Sequence, residues 1–207
     1  MSEKNFRKVL SLTEKILLSG GVLIGPTDTV YGIFGDATKS EVIKKMFAMK
    51  KRPEEKAFPI FVKDVAAARK YVYISDAKTK FLEKVWPGPV TAVFHHKEKL
   101  PKILTKEFDT LGIRIPSHPF LLELLSRLDF PLAQTSANIS GKPPAKNTST
   151  IKRYFEKEKV KPDLVVDGGE LSGRPSAVVD FSGTGPILLR SGLVDKRELD
   201  RILGIMK

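Results

Sequence analysis

Apolar residues recur at helical spacing at the start of the chain and again in several later segments. Between residues 6 and 17 they follow the i, i+3, i+4 pattern of an amphipathic helix, which stops at Gly20-Gly21. Ser2 is suited to the N-cap of this helix. Side chains suited to N-caps also precede the later helical segments. Three are single caps, at Asp64, at Ser75 and at Ser117 or His118. Two are capping boxes, Thr38 with Glu41 and Asp195 with Glu198.

Short apolar runs between these helices are typical of buried strands. Strands and helices alternate along the chain with no long linker, so we predict an α/β fold: a single domain over residues 1–207, with a twisted, mixed sheet, helices packed on it, and no separate C-terminal domain. The order of the strands does not follow from the pattern. The predicted strands are residues 22–24, 58–62, 91–94, 111–115, 132–134, 164–166, 177–181 and 187–189.

Composition excludes several classes of protein. The longest apolar runs are far shorter than the roughly 20 residues that a membrane helix needs, and no charged-then-apolar leader is seen, so we expect a cytoplasmic protein. The absence of cysteine excludes disulfides, thiolate metal sites and cysteine nucleophiles. The net charge of +12 favours polyanionic partners, although a lysine-rich surface alone accounts for it equally well.

Cations and hydroxyls gather where strands and helices end. Lys50, Arg52 and Lys56 follow a predicted helix, and we expect Lys50 and Arg52 to be exposed. They suit a triphosphate clamp, but cations that complement a helix C-terminus explain the same spacing. Arg114 lies within an apolar strand and should face a carboxylate or a phosphate.

The chemistry suggested by these groups is anion positioning. Neither a P-loop nor a dinucleotide-binding glycine motif is present, and the chain offers no credible general base. Phosphoryl and nucleotidyl transfer need little acid–base catalysis from the protein, because alignment and charge stabilisation supply most of the effect. The residues therefore predict a nucleotide-using enzyme.

Five motifs in order resemble the YrdC family, whose signature is K-x-R followed far downstream by S-x-N. The resemblance extends from about residue 20 to residue 192. Each motif alone is weak, but their order is specific. The motifs are residues 26–32 (PTDTVYG), 50–53 (KKRP), 86–89 (WPGP), 114–116 (RIP) and 135–141 (TSANISG).

The resemblance implies a nucleotidyltransferase that makes threonylcarbamoyl-AMP and pyrophosphate from L-threonine, bicarbonate and ATP. The product would pass to a downstream transferase complex that modifies tRNA. Mg²⁺ would be bound largely by the phosphates and water, with no protein ligand identified. Lys50 and Arg52 would be the catalytic residues.

By the same resemblance, the nucleotide and the amino acid would have separate sets of contacts. Those implied for ATP are Lys50, Arg52, Lys56, Thr110, Asn138, Arg190 and, more weakly, Lys146. Those implied for threonine are Thr29, Tyr31, Arg114, Ser136 and Ser176, with Arg114 on the carboxylate. The chain departs from the family at Phe61, where many members have histidine, and at Ala177, where a hydroxyl is lost.

Two rival interpretations remain at this level. One is the carbamoyl-adenylate-forming domain used in hydrogenase maturation, which shares the signature but belongs to assemblies with cysteine-rich zinc modules. The other is an RNA-binding or ribosome-assembly module that lacks catalysis. Residues 142–161 carry seven basic and two acidic residues, which favours weak binding of tRNA or double-stranded RNA, although a solvated helix face is the commoner explanation.

Overall fold

A nine-stranded mixed sheet runs through the protein, in the order β7-β1-β2-β6-β3-β5-β4-β8-β9. The computed structural model describes residues 3–52, 57–105 and 108–204. The strands are β1 Leu23–Gly25, β2 Gly32–Asp36, β3 Ile60–Phe61, β4 Val90–His95, β5 Thr110–Arg114, β6 Leu132–Ser136, β7 Leu164–Val165, β8 Ala177–Asp180 and β9 Ile187–Arg190.

Eight α-helices connect these strands in the described part of the chain. They pack on both faces of the sheet and cover each face in part. They are α1 Glu3–Leu18, α2 Ser40–Lys50, α3 Val65–Tyr71, α4 Asp76–Val85, α5 Lys102–Thr105, α6 Pro119–Arg127, α7 Thr148–Phe155 and α8 Lys196–Gly204. None of the described helices is long and apolar enough to cross a membrane.

The two faces of the sheet have separate apolar cores. On one face, α1 and α6 pack over Leu23, Phe34 and Phe61. On the other, α2 and the remaining helices cover a larger core that includes Ile113 of β5. Because side chains alternate along a strand, residues 110, 112 and 114 of β5 lie on the α1–α6 face, opposite Ile113. The helices α1 and α6 leave part of that face open.

The predicted fold class, an α/β fold with a mixed sheet and helices packed on it, is confirmed. Every predicted strand has a counterpart, and Asp64 and Ser75 cap α3 and α4 as expected. The capping box at Thr38 is wrong, because its hydroxyl donates to Asp36 and α2 begins at Ser40 after an N-cap without a side-chain hydrogen bond. Ser2 lies outside the described residues.

Candidate active site

A cavity of about 480 Å³ occupies the open part of the sheet face. Alternate residues of neighbouring strands form its floor, as the two-residue period of a strand requires. Three arginines line it, and its described lining includes no carboxylate and no histidine. The floor residues are Thr91 and Val93 of β4, Gly112 and Arg114 of β5, Gln134 and Ser136 of β6, and Val178 of β8, with Thr29, Arg52, Ser176 and Arg190 among the walls.

Arg114 is held from several sides although it lines the cavity. Its Nε donates to the carbonyl of Gly88 at 2.9 Å, Nη1 to Thr29 Oγ1 at 3.3 Å, and Nη2 to a carboxylate oxygen of Asp28. Only 2% of Arg114 is exposed, and its guanidinium lies 5.5 Å from the ring centre of Phe61. Burial lowers the pKa of Arg114, and the Asp28 carboxylate partly offsets that effect. The anionic partner expected for this arginine is therefore present inside the protein.

Arg52 enters the cavity from the turn that ends α2. Lys51 has φ of 49°, a left-handed conformation that stops the helix. The Arg52 guanidinium lies 5.3 Å from the ring centre of Phe58, and its Nε is buried with no hydrogen-bond partner among the described residues. A buried donor without a partner is costly, so this nitrogen indicates a site for an anion.

Lys50 contradicts the expectation that it is exposed, since only 4% of it is. Its Nζ donates to Asn138 Oδ1 at 2.8 Å and to the Ser136 carbonyl at 2.7 Å, and lies 3.2 Å from Ser136 Oγ. The K-x-R and S-x-N motifs are therefore in direct contact. Burial lowers the pKa of Lys50 to about 7, and the nearby positive charge of Arg52 adds to the shift.

Asn138 and Ser176 order the chain segments around them, and Ser176 also lines the cavity. The Asn138 amide donates to the carbonyls of Ile139 and Lys142, at 3.0 and 2.6 Å, so its side chain orders the loop after β6. Ser176 Oγ lies 2.9 Å from Thr91 Oγ1, and Arg190 Nε donates to the Ser176 carbonyl at 3.0 Å. These contacts fix hydroxyls and a guanidinium on the cavity wall.

Five of the described residues predicted for the site lie outside the cavity lining. Two of them, Lys50 and Asn138, contact Ser136 of the lining, and the other three are Tyr31, Thr110 and Lys146. The Tyr31 hydroxyl donates to the Gly169 carbonyl at 2.7 Å and accepts from the Gly168 amide at 2.8 Å, outside the cavity lining. Thr110 shares the face of β5 with Gly112 but lies beyond the lining. Lys146 is exposed, with its stem against Gly173. Lys56 lies outside the described residues.

Two residues that the sequence analysis did not single out belong to the site. Asp28 neutralises Arg114, and Thr91 supports Ser176. The signal for Asp28 was present, because it stands between two hydroxyl residues directly after a buried strand. Thr91 gave no such signal, since a threonine in a strand is ordinary.

Within the described residues, no group of three histidine, aspartate or glutamate side chains could hold a metal ion. The cavity itself offers hydroxyls, guanidiniums and an amide. The guanidiniums of this set suit the phosphates that carry Mg²⁺ in a nucleotide.

The family model described as Sua5/YciO/YrdC, "Telomere recombination", matches residues 15–192. The chain belongs to this family. A relative from Methanocaldococcus jannaschii is 33% identical over 97% of this chain and 94% of its own length. The threonylcarbamoyl-AMP synthase of Yersinia enterocolitica is 31% identical over 87% of this chain and 95% of its own.

A solved structure of P. abyssi Sua5 complexed with L-threonine superposes with a TM-score of 0.88 at 29% identity. The match covers 94% of this chain and 57% of that Sua5 chain. The chain thus spans little more than half the length of this relative. The resemblance to the Sua5/YciO/YrdC family read from the sequence is confirmed.

Proposed function

We propose that the protein is a nucleotidyltransferase that forms threonylcarbamoyl-AMP and pyrophosphate from L-threonine, bicarbonate and ATP. The observation that carries this proposal is the cavity itself, where three arginines and several hydroxyls face one another and the Arg52 Nε has no partner in the described part of the chain. The threonylcarbamoyl-AMP synthases among the relatives, and the Sua5 structure with L-threonine, support this substrate set.

The cavity chemistry agrees with this reaction. The threonine amine takes up bicarbonate as a carbamate with loss of water, and a carbamate oxygen then attacks the α-phosphorus of ATP and displaces pyrophosphate. Arg52, Arg190 and Lys50 would stabilise the negative charge of the phosphates, since phosphoryl transfer depends mainly on positioning and charge stabilisation. No described cavity residue needs to act as a general base.

The threonine would lie at the Arg114 end of the cavity. A guanidinium has five N–H donors, and three of those on Arg114 are in use, so two remain for a carboxylate. Thr29 and Ser176 would contact the rest of the amino acid. Mg²⁺ would enter with ATP, held by the phosphates and water.

The product would serve a downstream transferase that modifies tRNA, in keeping with the synthase names of the relatives. A mixed anhydride of a carbamate and a phosphate is reactive, so its consumption by a partner in the same compartment is chemically reasonable. No described contact identifies that partner, and direct contacts of Tyr31, Thr110, Lys56 and Lys146 with the substrates stay predictions.

The test is pyrophosphate release from ATP and bicarbonate, with L-threonine, with L-serine and with no amino acid. We expect release that depends on L-threonine. Release that is indifferent to the amino acid, or no release, would contradict the proposal and favour the carbamoyl-adenylate or RNA-binding interpretation. Mass detection of the adenylate separates the first of these from simple ATP hydrolysis.

A further inference from the structure

We propose that Asp28 is a positioning residue, which fixes the guanidinium of Arg114 so that its two remaining donors face the carboxylate of the amino acid. This inference rests on the proposed function. It concerns a residue outside the cavity lining, since Arg114 lines the cavity and Asp28 does not. Asp28 thus contacts the guanidinium from outside the cavity lining.

Both oxygens of Asp28 are engaged, and by different parts of the chain. One accepts from Arg114 Nη2. The other accepts from the Ser117 amide at 3.2 Å and from Ser117 Oγ at 3.0 Å, directly before α6. The carboxylate side chain is only 11% exposed. Asp28 therefore joins the loop after β1, the end of β5 and the start of α6 at one point.

The other contacts of Arg114 do not fix the guanidinium by themselves. The hydrogen bond from Nε to the Gly88 carbonyl fixes one edge of the guanidinium, and the hydrogen bond from Nη1 to Thr29 Oγ1 is long at 3.3 Å. The Phe61 ring packs against the guanidinium but does not fix how the guanidinium is rotated in its own plane. Asp28 is the sole carboxylate that pairs with Arg114 among the described residues. A charge-assisted hydrogen bond is stronger and more directional than a neutral one, so Asp28 sets the orientation.

A purely structural role predicts a different result from a positioning role. If Asp28 only ties α6 to the loop, its loss disturbs the whole amino-acid site and weakens every ligand there alike. If Asp28 orients Arg114, its loss weakens ligands that carry a carboxylate and spares those that lack one. L-Threoninamide, which has a neutral amide in place of the carboxylate, makes this distinction.

The experiment compares the wild-type chain with Asp28→Asn at saturating ATP and bicarbonate. L-Threonine is varied as substrate, and L-threoninamide is the competitor. We expect the variant to raise the KM for L-threonine by about tenfold or more, the effect of one charged hydrogen bond, and to change the inhibition constant of L-threoninamide by less than about threefold. An unchanged KM for L-threonine, or an equal loss for both compounds, would overturn the proposal.

Two further variants guard against loss of folding. Ser117→Ala removes one hydrogen bond to Asp28 at an exposed serine, and should raise the KM for L-threonine by about two- to fivefold, with no added effect in the Asp28→Asn background. Additive effects in the double variant would contradict the shared role. Asp36→Asn is the matched control: this carboxylate is 1% exposed and accepts from Thr38 at the opposite end of β2.

Asp36→Asn should lower the thermal midpoint without changing the preference for L-threonine over L-threoninamide. A loss of that preference would show that any buried aspartate affects it, and would overturn the role assigned to Asp28. Failure of the proposed function is recognised separately, because the wild-type chain itself would then release no pyrophosphate in response to L-threonine.

Discussion

A lysine whose ammonium group is buried among four oxygens is the most informative single residue. Lys50 has carbonyl, hydroxyl and amide oxygens around Nζ but no carboxylate partner among the described residues. Its pKa of about 7 follows from burial and from the charge of Arg52. A bound triphosphate would bring negative charge to this group and raise its pKa, so ATP and a proton should bind together.

The prediction is that ATP binding takes up about one proton at pH about 8.5, and that ATP affinity falls with rising pH by up to about tenfold per unit above 7. Calorimetric titration in buffers of different ionisation enthalpy measures the proton count. Lys50→Arg is the control, because arginine stays charged and should abolish the uptake. Equal uptake in both chains would assign the proton to another group.

The lowered pKa of Lys50 also makes the free energy of unfolding depend on pH. The pKa of Lys50 falls from an ordinary 10.5 to about 7 on folding, so between these values the unfolded chain binds more protons than the folded one. The contribution of Lys50 to the free energy of unfolding therefore rises with pH across this window and is lost as the pH falls to 7.

At this scale the sequence predicted Arg114 well and Lys50 poorly. An arginine in an apolar strand must be paired, whatever the fold, and Asp28 and the cavity provide its surroundings. The burial of Lys50 depends on Ser136 and Asn138, which are 86 and 88 positions away. Spacing along the chain contains no information on that contact.

Among the strands that the structure describes, β2 is the one that the sequence pattern did not reveal. Its residues, Gly-Ile-Phe-Gly-Asp, are all buried, so the alternation that marks a half-exposed strand is missing. Glycine is usually depleted in strands. A Cβ at Gly35 would lie 2.4 Å from Val42 Cγ1, which shows that α2 packs directly on this glycine.

Gly35→Ala should accordingly destabilise the protein by about 1–3 kcal/mol, since Val42 is short, branched and buried and α2 must move. Chemical denaturation measures the change. Because α2 ends at Lys50, threonine-dependent turnover should fall as well. Gly183→Ala is the control, with no atom near the added methyl and an expected change within about 0.5 kcal/mol.

A second variant tests the cause of that destabilisation. Val42→Ala removes the methyl groups that the new Cβ would meet. Val42→Ala combined with Gly35→Ala should therefore cost less than the sum of the two single changes, whereas strict additivity would mean that Gly35→Ala acts through the backbone instead.

At the scale of the whole molecule, the net charge of +12 and the cavity predict two different kinds of binding. The basic stretch at residues 142–161 includes α7, whose Ile151 and Phe155 are buried in the core, so its cations lie on a packed helix and the loops beside it. Some of these cations already have partners within the protein, since Lys142 and Arg153 lie against the ring of Tyr154. Such a surface attracts polyanions without selecting among them.

Charge alone thus predicts RNA binding that is weak and strongly dependent on salt, whereas catalysis depends on the cavity. Affinity for a short RNA duplex should fall by about tenfold or more between roughly 50 and 200 mM salt, and should equal that for a DNA duplex of the same length. Fluorescence anisotropy measures both. Arg114→Ala should leave this binding intact and abolish threonine-dependent pyrophosphate release. RNA binding that resists salt, or that is lost together with turnover in Arg114→Ala, would instead place a specific RNA site at the cavity.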